Sequence, residues 1–344
     1  MMRKGLVAAG AVLAVATAMA TTPARADNPK LIIYVSPNPL GVNPFLIMGK
    51  TGTDAVAKKL GAKSRTYEAK DPTTRKQDVE AAVRDGADIV VVLGFEFKDM
   101  LPDIAKANPN TKFLIVDTYI PDPPPNLWES TFREWEGSYL VGAETALTSK
   151  SGKLGAVAAL DIPFLHRWTD AFQDGAKAAV PGITFLPTLI VGGDNPFSDP
   201  VRAEQQAQAV IAGGADRIYA VAAGGNGGIF KAAMDAKDKG VLAIGVDTNQ
   251  CPQAPGVVLD NMEKGVDAAV GLAIEGIAKG TQDHIVAYGL KEGGVGLTSL
   301  HDDVAGSKCE IAKFPDAIAK AKDLKGKIES GEIKLADPML NPRK

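Results

Sequence analysis

Apolar residues fall in short, nearly unbroken runs, separated by longer stretches with helical spacing. Leu31-Ile-Ile-Tyr-Val35, Ala87-Asp-Ile-Val-Val-Val-Leu93, Phe113-Leu-Ile-Val116, Lys153-Leu-Gly-Ala-Val-Ala158, Arg217-Ile-Tyr-Ala-Val-Ala222 and Val241-Leu-Ala-Ile-Gly-Val246 read as strands covered on both faces. Ser64 to Ala69, Thr184 to Val191, Val257 to Leu259 and His284 to Leu290 predict further strands. Between them lie amphipathic helices. One runs from Leu46 to Leu60 and stops at Gly61; another is opened by Asp71-Pro72; others span Lys98 to Ala107 and Glu134 to Ser149. Asp161-Ile-Pro163 and Asp199-Pro200 start two more, and Ile229 to Lys239 and Met262 to Lys279 close the series. Strand, loop and helix alternate, which gives right-handed βαβ units in a parallel sheet.

Pro121 to Pro125 interrupts that rhythm, and a second series with the same order comes after it. The expected fold is therefore α/β: two Rossmann-like, doubly wound parallel-sheet lobes joined by a hinge. Residues 27–126 plus 257–288 form lobe one in this reading, and 127–256 plus 289–344 form lobe two and a C-terminal tail. The returning helix, carrying Lys264, brings the chain back to lobe one. Three short crossings would leave a cleft between the lobes.

The N-terminus changes where such a cleft would operate. Met1 to Lys4 is basic, Gly5 to Ala20 is small and apolar, and Ala24-Arg25-Ala26 fits a signal-peptidase site. Residues 1–26 read as a signal peptide cleaved after Ala26, so the mature chain is expected in the periplasm. The apolar run is short for a membrane span. With 45% hydrophobic and 23% charged residues and a net charge of −3, the chain has no basic face for nucleic acid. His166, His284 and His301 lack metal-ligand spacing with each other or with cysteine. Cys251 and Cys309 are the two cysteines, and in an oxidising compartment they could pair or stay separate thiols; sequence does not fix their distance.

Chemistry concentrates at strand ends, where open α/β sheets bind ligands. Asp117 and Asp247 each end an apolar strand; each could instead be the N-cap of the next segment. Gly224-Gly-Asn-Gly-Gly228 lets the backbone turn sharply, and Asn226 within it is a further candidate. Phe95 and Phe97 alternate at a strand end, so one faces the core and one the cleft; Phe97 is carried as the cleft candidate. The glycine run followed by Asp247 has a dinucleotide flavour, but its spacing is not G-x-G-x-x-G. No paired Ser/His/Asp constellation can be argued from spacing. A nucleotide-dependent enzyme is thus disfavoured, and no cofactor is expected.

One set of segments, taken in order, resembles a known family. They are Leu93-Gly-Phe-Glu-Phe-Lys-Asp99, Asn108-Pro109, Phe113-Leu-Ile-Val-Asp117, Glu136-Gly-Ser-Tyr-Leu-Val-Gly142, Lys150-Ser-Gly-Lys-Leu-Gly155, Phe172-Gln-Asp-Gly175, Asp199-Pro200 and Gly245-Val-Asp-Thr-Asn-Gln250. They are similar to the basic membrane protein family of ABC-transporter solute-binding proteins, which has the type I periplasmic binding fold. The resemblance implies a non-enzymatic, monomeric receptor that passes a purine nucleoside to an ABC permease in the inner membrane. It implies a base stacked between Phe45 and Trp168, with Phe164 as the alternative second ring, at about 1–3 kcal/mol per ring. It also implies Asp117, Asp247 and Lys264 as polar anchors. The first loop departs from the family's Asp-x-Ser-Phe-Asn-Gln: here it is Val42-Asn43-Pro44-Phe45-Leu46-Ile47, with Asn43 the one polar residue left. Asp260-Asn261 stands for the family's Thr-Ser pair. The sugar contacts therefore differ, and a free nucleobase or another flat heterocycle joins the nucleoside as expected ligand. A ribose-type sugar receptor and a ligand-sensing signalling subunit are the competing readings.

Overall fold

The computed structural model describes residues 28–342. The signal-peptide reading and its cleavage site lie outside them. Lobe one begins with β1 (Leu31–Ser36), α1 (Pro44–Leu60), β2 (Lys63–Glu68), α2 (Pro72–Arg84) and β3 (Ile89–Leu93). It continues through α3 (Leu101–Ala107), β4 (Lys112–Val116) and β5 (Leu127–Phe132). Lobe two takes α4 (Glu134–Thr148), β6 (Lys153–Ala158), α5 (His166–Ala179), β7 (Thr184–Phe185), β8 (Leu189–Ile190), α6 (Pro200–Ala212) and β9 (Arg217–Val221). It goes on with α7 (Asn226–Asp235), β10 (Leu242–Asp247) and β11 (Val258–Lys264). The chain then visits lobe one with α8 (Val266–Lys279) and β12 (Ile285–Tyr288), and ends in lobe two with β13 (Val295–Leu297) and α9 (Pro315–Glu329).

The first sheet has strand order β12-β5-β4-β3-β1-β2, all parallel. The second runs β13-β11-β10-β9-β6-β7, with β8 also on β6, and only β13 antiparallel. Every residue of β3 and of β9 is buried, as strands with helices on both faces must be.

The lobe boundaries differ from those expected. The prolines at 121–125 do not cross; β5 still pairs with β4, so the first crossing is at Arg133. β11 pairs with β10, so residues 258–264 belong to lobe two, and the second crossing is at Gly265. Lys264 therefore ends a strand and does not sit on the returning helix. The third crossing is the loop 289–294. The crossings hold one another: Arg133 Nε donates to Glu136 at 2.7 Å, Arg133 also pairs with Glu292, and Gly265 N–H donates to Gly294 O at 2.9 Å. The expected strand Thr184–Val191 is split into β7 and β8 around Pro187, which has no N–H for a ladder.

Capping agrees with the sequence signals. Asp71 and Thr74 form a reciprocal capping box, and Asp199 accepts from Arg202 N–H at 2.9 Å. Gly61, in the left-handed conformation at φ 74°, ends α1. Helices α4 and α5 pack backbone to backbone. A Cβ at Gly142 would overlap the Phe172 carbonyl, and one at Gly175 the Tyr139 carbonyl. Cys251 and Cys309 form a disulfide with their Cα atoms 5.0 Å apart, tying the end of β10 to the segment before α9.

Candidate ligand cleft

Strand ends from both sheets meet at one cleft. It encloses roughly 620 Å³, solvent mouth included, within the range of small-molecule sites. Two strands carry equivalent acids. Asp117 lies just past β4 and Asp247 ends β10, and both have φ 71°. This left-handed backbone is uncommon outside glycine and best tolerated by Asp and Asn, and strained positions of this kind gather at functional sites. Both carboxyls line the cleft and are more than nine-tenths buried.

Lys264, at the end of β11, pairs with the first of them. Its Nζ is 2.7 Å from Asp117 Oδ2 and 3.4 Å from Glu134 Oε1 at the start of α4. The ammonium also faces four rings, with centroids at 4.9 Å for Phe45, 5.1 Å for Phe132, 5.9 Å for Phe164 and 4.9 Å for Trp168. Burial pulls the Lys264 pKa down, but Asp117, Glu134 and Asp247 outweigh it and hold the ammonium charged. Burial raises Asp247 to about 6; Lys264 opposes the rise and Asp117 adds to it. Glu134, wholly buried, is also shifted upward by desolvation, against the pull of Lys264.

Among the described residues, two polar atoms in the cleft have no partner: Asp117 Oδ1, an acceptor, and Trp168 Nε1, a donor. A buried polar atom left alone costs about 1–3 kcal/mol, so both suit a ligand that supplies the missing half. Aromatic walls flank them. Phe164 meets Trp168 edge to face at 5.0 Å, and Phe95 lies 6.3 Å from Phe164 and 6.4 Å from Phe197.

Of the residues expected at the site, Asn43, Phe45, Asp117, Trp168, Asp247 and Lys264 all line this cleft. Phe97 does not. After Gly94, with φ 96°, the chain enters a short 3-10 turn, Phe95–Phe97, which sends Phe97 into the lobe-one core at 0% exposure and turns Phe95 to the cleft. Asn226 is also a correction. It is fully buried, accepts from Ala222 N–H at 2.9 Å and donates to Gln250 Oε1 at 2.9 Å. It braces the turn behind the cleft. Asn43 has a double place, since its Oδ1 caps α1 by accepting from Phe45 N–H at 3.1 Å. Sequence reasoning passes over Glu96 and Phe197, which line the cleft, and Glu134 and Arg167 behind it. Among the described residues, no group of three or more His, Cys, Asp or Glu could hold a metal. No described helix is long and apolar enough to cross a membrane.

Residues 31–334 match the family of ABC transporter substrate-binding proteins described as PnrA-like. The chain belongs to that family. It is a substrate-binding protein of the ABC-transporter class and not an enzyme. It is 30% identical to the ABC transporter nucleoside-binding protein BmpA of Lactococcus lactis over 74% of this chain and 72% of that one. It is 29% identical to a CD4+ T-cell-stimulating antigen of Listeria monocytogenes, over 76% of this chain and 74% of the other. Among solved structures, an ABC transporter solute-binding protein from Aeropyrum pernix K1 superposes with TM-score 0.75 at 25% identity, covering 90% of this chain and 94% of that one. The two-lobed α/β architecture and the family thus agree.

Proposed function

We propose that this chain captures a purine nucleoside or nucleobase-like heterocycle between its lobes and delivers it, unaltered, to an ABC permease. The observation that carries this reading is the Lys264–Asp117 pair set among aromatic rings, with Asp117 Oδ1 and Trp168 Nε1 unpaired beside it. A flat base gains by stacking on Phe45 or Trp168. Its N–H edge finds acceptors in Asp117 and Asp247, and its carbonyl or ring nitrogen finds donors in Lys264 and Trp168. The nucleoside-binding relative supports this class of ligand. Among the described residues, five aromatic side chains and no arginine line the cleft, which favours a base over a free pentose.

Phe45 and Asp117 come from lobe one, and Trp168, Asp247 and Lys264 from lobe two. A ligand touching both sets stabilises the closed arrangement, which is how binding would be signalled to a permease. Capture of this kind operates outside the cytoplasmic membrane, on a monomeric, exported chain.

The test is calorimetric titration of protein unfolded and refolded to strip carried-over ligand, with adenosine, guanosine, hypoxanthine and ribose. Purine binding is expected, weakened at least about 30-fold by Asp247→Ala, because ligand donors lose their acceptor at a cost of about 2 kcal/mol. Affinity should also fall as pH drops through about 6, where Asp247 takes up a proton in the field of Lys264 and Asp117. Binding of ribose without any purine would overturn the proposal.

A further inference from the structure

The contacts around Lys264 continue away from the cleft and end in the C-terminal segment. Glu134 Oε1 faces Lys264, while Glu134 Oε2 lies 3.3 Å from Arg167 Nη1 in the first turn of α5. Arg167 is gripped from the other side by Asp337, through Nε to Oδ1 at 3.0 Å and Nη2 to Oδ2 at 2.6 Å. Its guanidinium is 4.9 Å from the Trp135 ring centroid and 5.8 Å from that of Phe164, a wall of the cleft. Asp337 is itself fixed, because its Oδ1 accepts from Met339 N–H at 2.9 Å and its carbonyl from Leu340 and Asn341 N–H at 3.1 and 3.0 Å. Acidic and basic side chains alternate along the series Asp337, Arg167, Glu134, Lys264, Asp117. All five side chains are at least 86% buried. Asp337 lies beyond residue 334, where the family match stops.

We propose that Asp337 is a positioning residue for the ligand cleft, holding Lys264 in place through Arg167 and Glu134. The bidentate fork takes up Nε and Nη2 and leaves Nη1 aimed at Glu134. Glu134 is then the carboxyl shared between two cations, and Lys264 is drawn to a fixed point between Glu134 and Asp117. With Asp337 gone, Arg167 can turn on its long stem, Glu134 loses a partner, and Lys264 keeps only Asp117 as a firm anchor. The same change frees the guanidinium from Phe164. The C-terminal segment would thus tune a site it never touches. The inference rests on the cleft reading above for its effect on ligand, but the placement of Lys264 can be read without any ligand.

The experiment compares Asp337→Asn, Asp337→Glu and the exposed-tail control Leu340→Ser in the full mature chain. The first readout is the 15N–1H correlation of the Lys264 ammonium in lysine-labelled protein, recognised by its loss in Lys264→Arg. Asp337→Asn should shift it and speed its solvent exchange, Asp337→Glu should restore it, and Leu340→Ser should leave it alone. The second readout is guanosine and hypoxanthine titration, where Asp337→Asn should weaken affinity about tenfold, a coupling typical of residues in one charged network. An unmoved Lys264 signal in a folded Asp337→Asn overturns the proposal, even if thermal stability falls. A signal that moves as expected in a protein that binds neither purine upholds the positioning role and retires the purine reading alone.

Discussion

Helix α4 and strand β11 carry two buried acid clusters, one with cations beside it and one without. At the cleft end, burial raises Glu134 while Lys264 and Arg167 beside it pull the other way. At the far end, Glu144 of α4 meets Asp260 of β11, with no cation beside them among the described residues. Both carboxyls are at 0% exposure; Ser299 bridges them, its N–H donating to Asp260 Oδ1 and its hydroxyl to Glu144 Oε2, each at 3.0 Å. Burial, and then the charge of Asp260, push Glu144 well above the usual carboxylate range, and burial raises Asp260 as well. Glu144 Oε1 and Asp260 Oδ2 have no other partner among the described residues, so one proton held between them completes the pair. A buried acid can therefore be kept either beside fixed cations, whose charge opposes the upward push of burial, or by a proton shared with a second acid, which makes the pair inert packing. The first arrangement stands at the cleft, and the second away from it.

The sharpest way to break this contrast is Lys264→Met. It strands Asp117 and Glu134 without their shared cation, and unfolding free energy should drop by about 3–5 kcal/mol, as for other broken buried pairs. Urea denaturation at pH 7.5 measures it, and ligand binding should vanish with it. Cys251→Ser together with Cys309→Ser comes next. The bond closes a loop across 58 positions, which contains the Ser299 clasp of the proton-sharing pair, so its loss should cost about 2–4 kcal/mol.

Glu144→Gln sharpens the contrast from the other end. The folded pKa values of the pair are raised, so its contribution is complete below the unfolded values and is lost as pH rises through the folded ones. The amide keeps a donor for Asp260 without ionising. The variant should match the parent within about 1 kcal/mol near pH 5 and become the more stable of the two by about 1 kcal/mol at pH 8 to 9. Equal slopes of stability against pH in the two proteins would refute proton sharing. Trp168→Phe is the smallest change. It keeps the ring but removes the unpaired Nε1 donor, so stability should hold within about 0.5 kcal/mol while purine affinity falls severalfold.

The architecture is legible because strands buried on both faces write themselves as apolar runs. β1, β3, β4, β6, β9 and β10 all stand where the pattern puts them. Where the pattern misleads, the physics is identifiable. Residues 262 to 279 fit a helical pattern throughout, and only Gly265 marks the change from strand to helix, so the pattern puts Lys264 on the wrong element. Alternation between Phe95 and Phe97 assumes a strand, but Gly94 ends the strand and a three-residue turn replaces period two. The six expected residues at the cleft can be found because each sits on a family motif or a strand end. Arg167 and Asp337 cannot, since they meet across 170 positions and neither belongs to a local signal. Glu134 resembles any acid in the first turn of a helix, where the helix dipole alone would explain it.

The bare contact between α4 and α5 has a mechanical corollary. Because Gly142 and Gly175 let two main chains interlock with no cushioning side chains, those helices can neither slide nor twist against each other. Glu134 and Arg167 ride on this plank at a fixed separation. Compliance is then left to Arg133, Gly265 and residues 289–294, and the molecule should bend like a clasp knife, with stiff blades and all its give in the rivet.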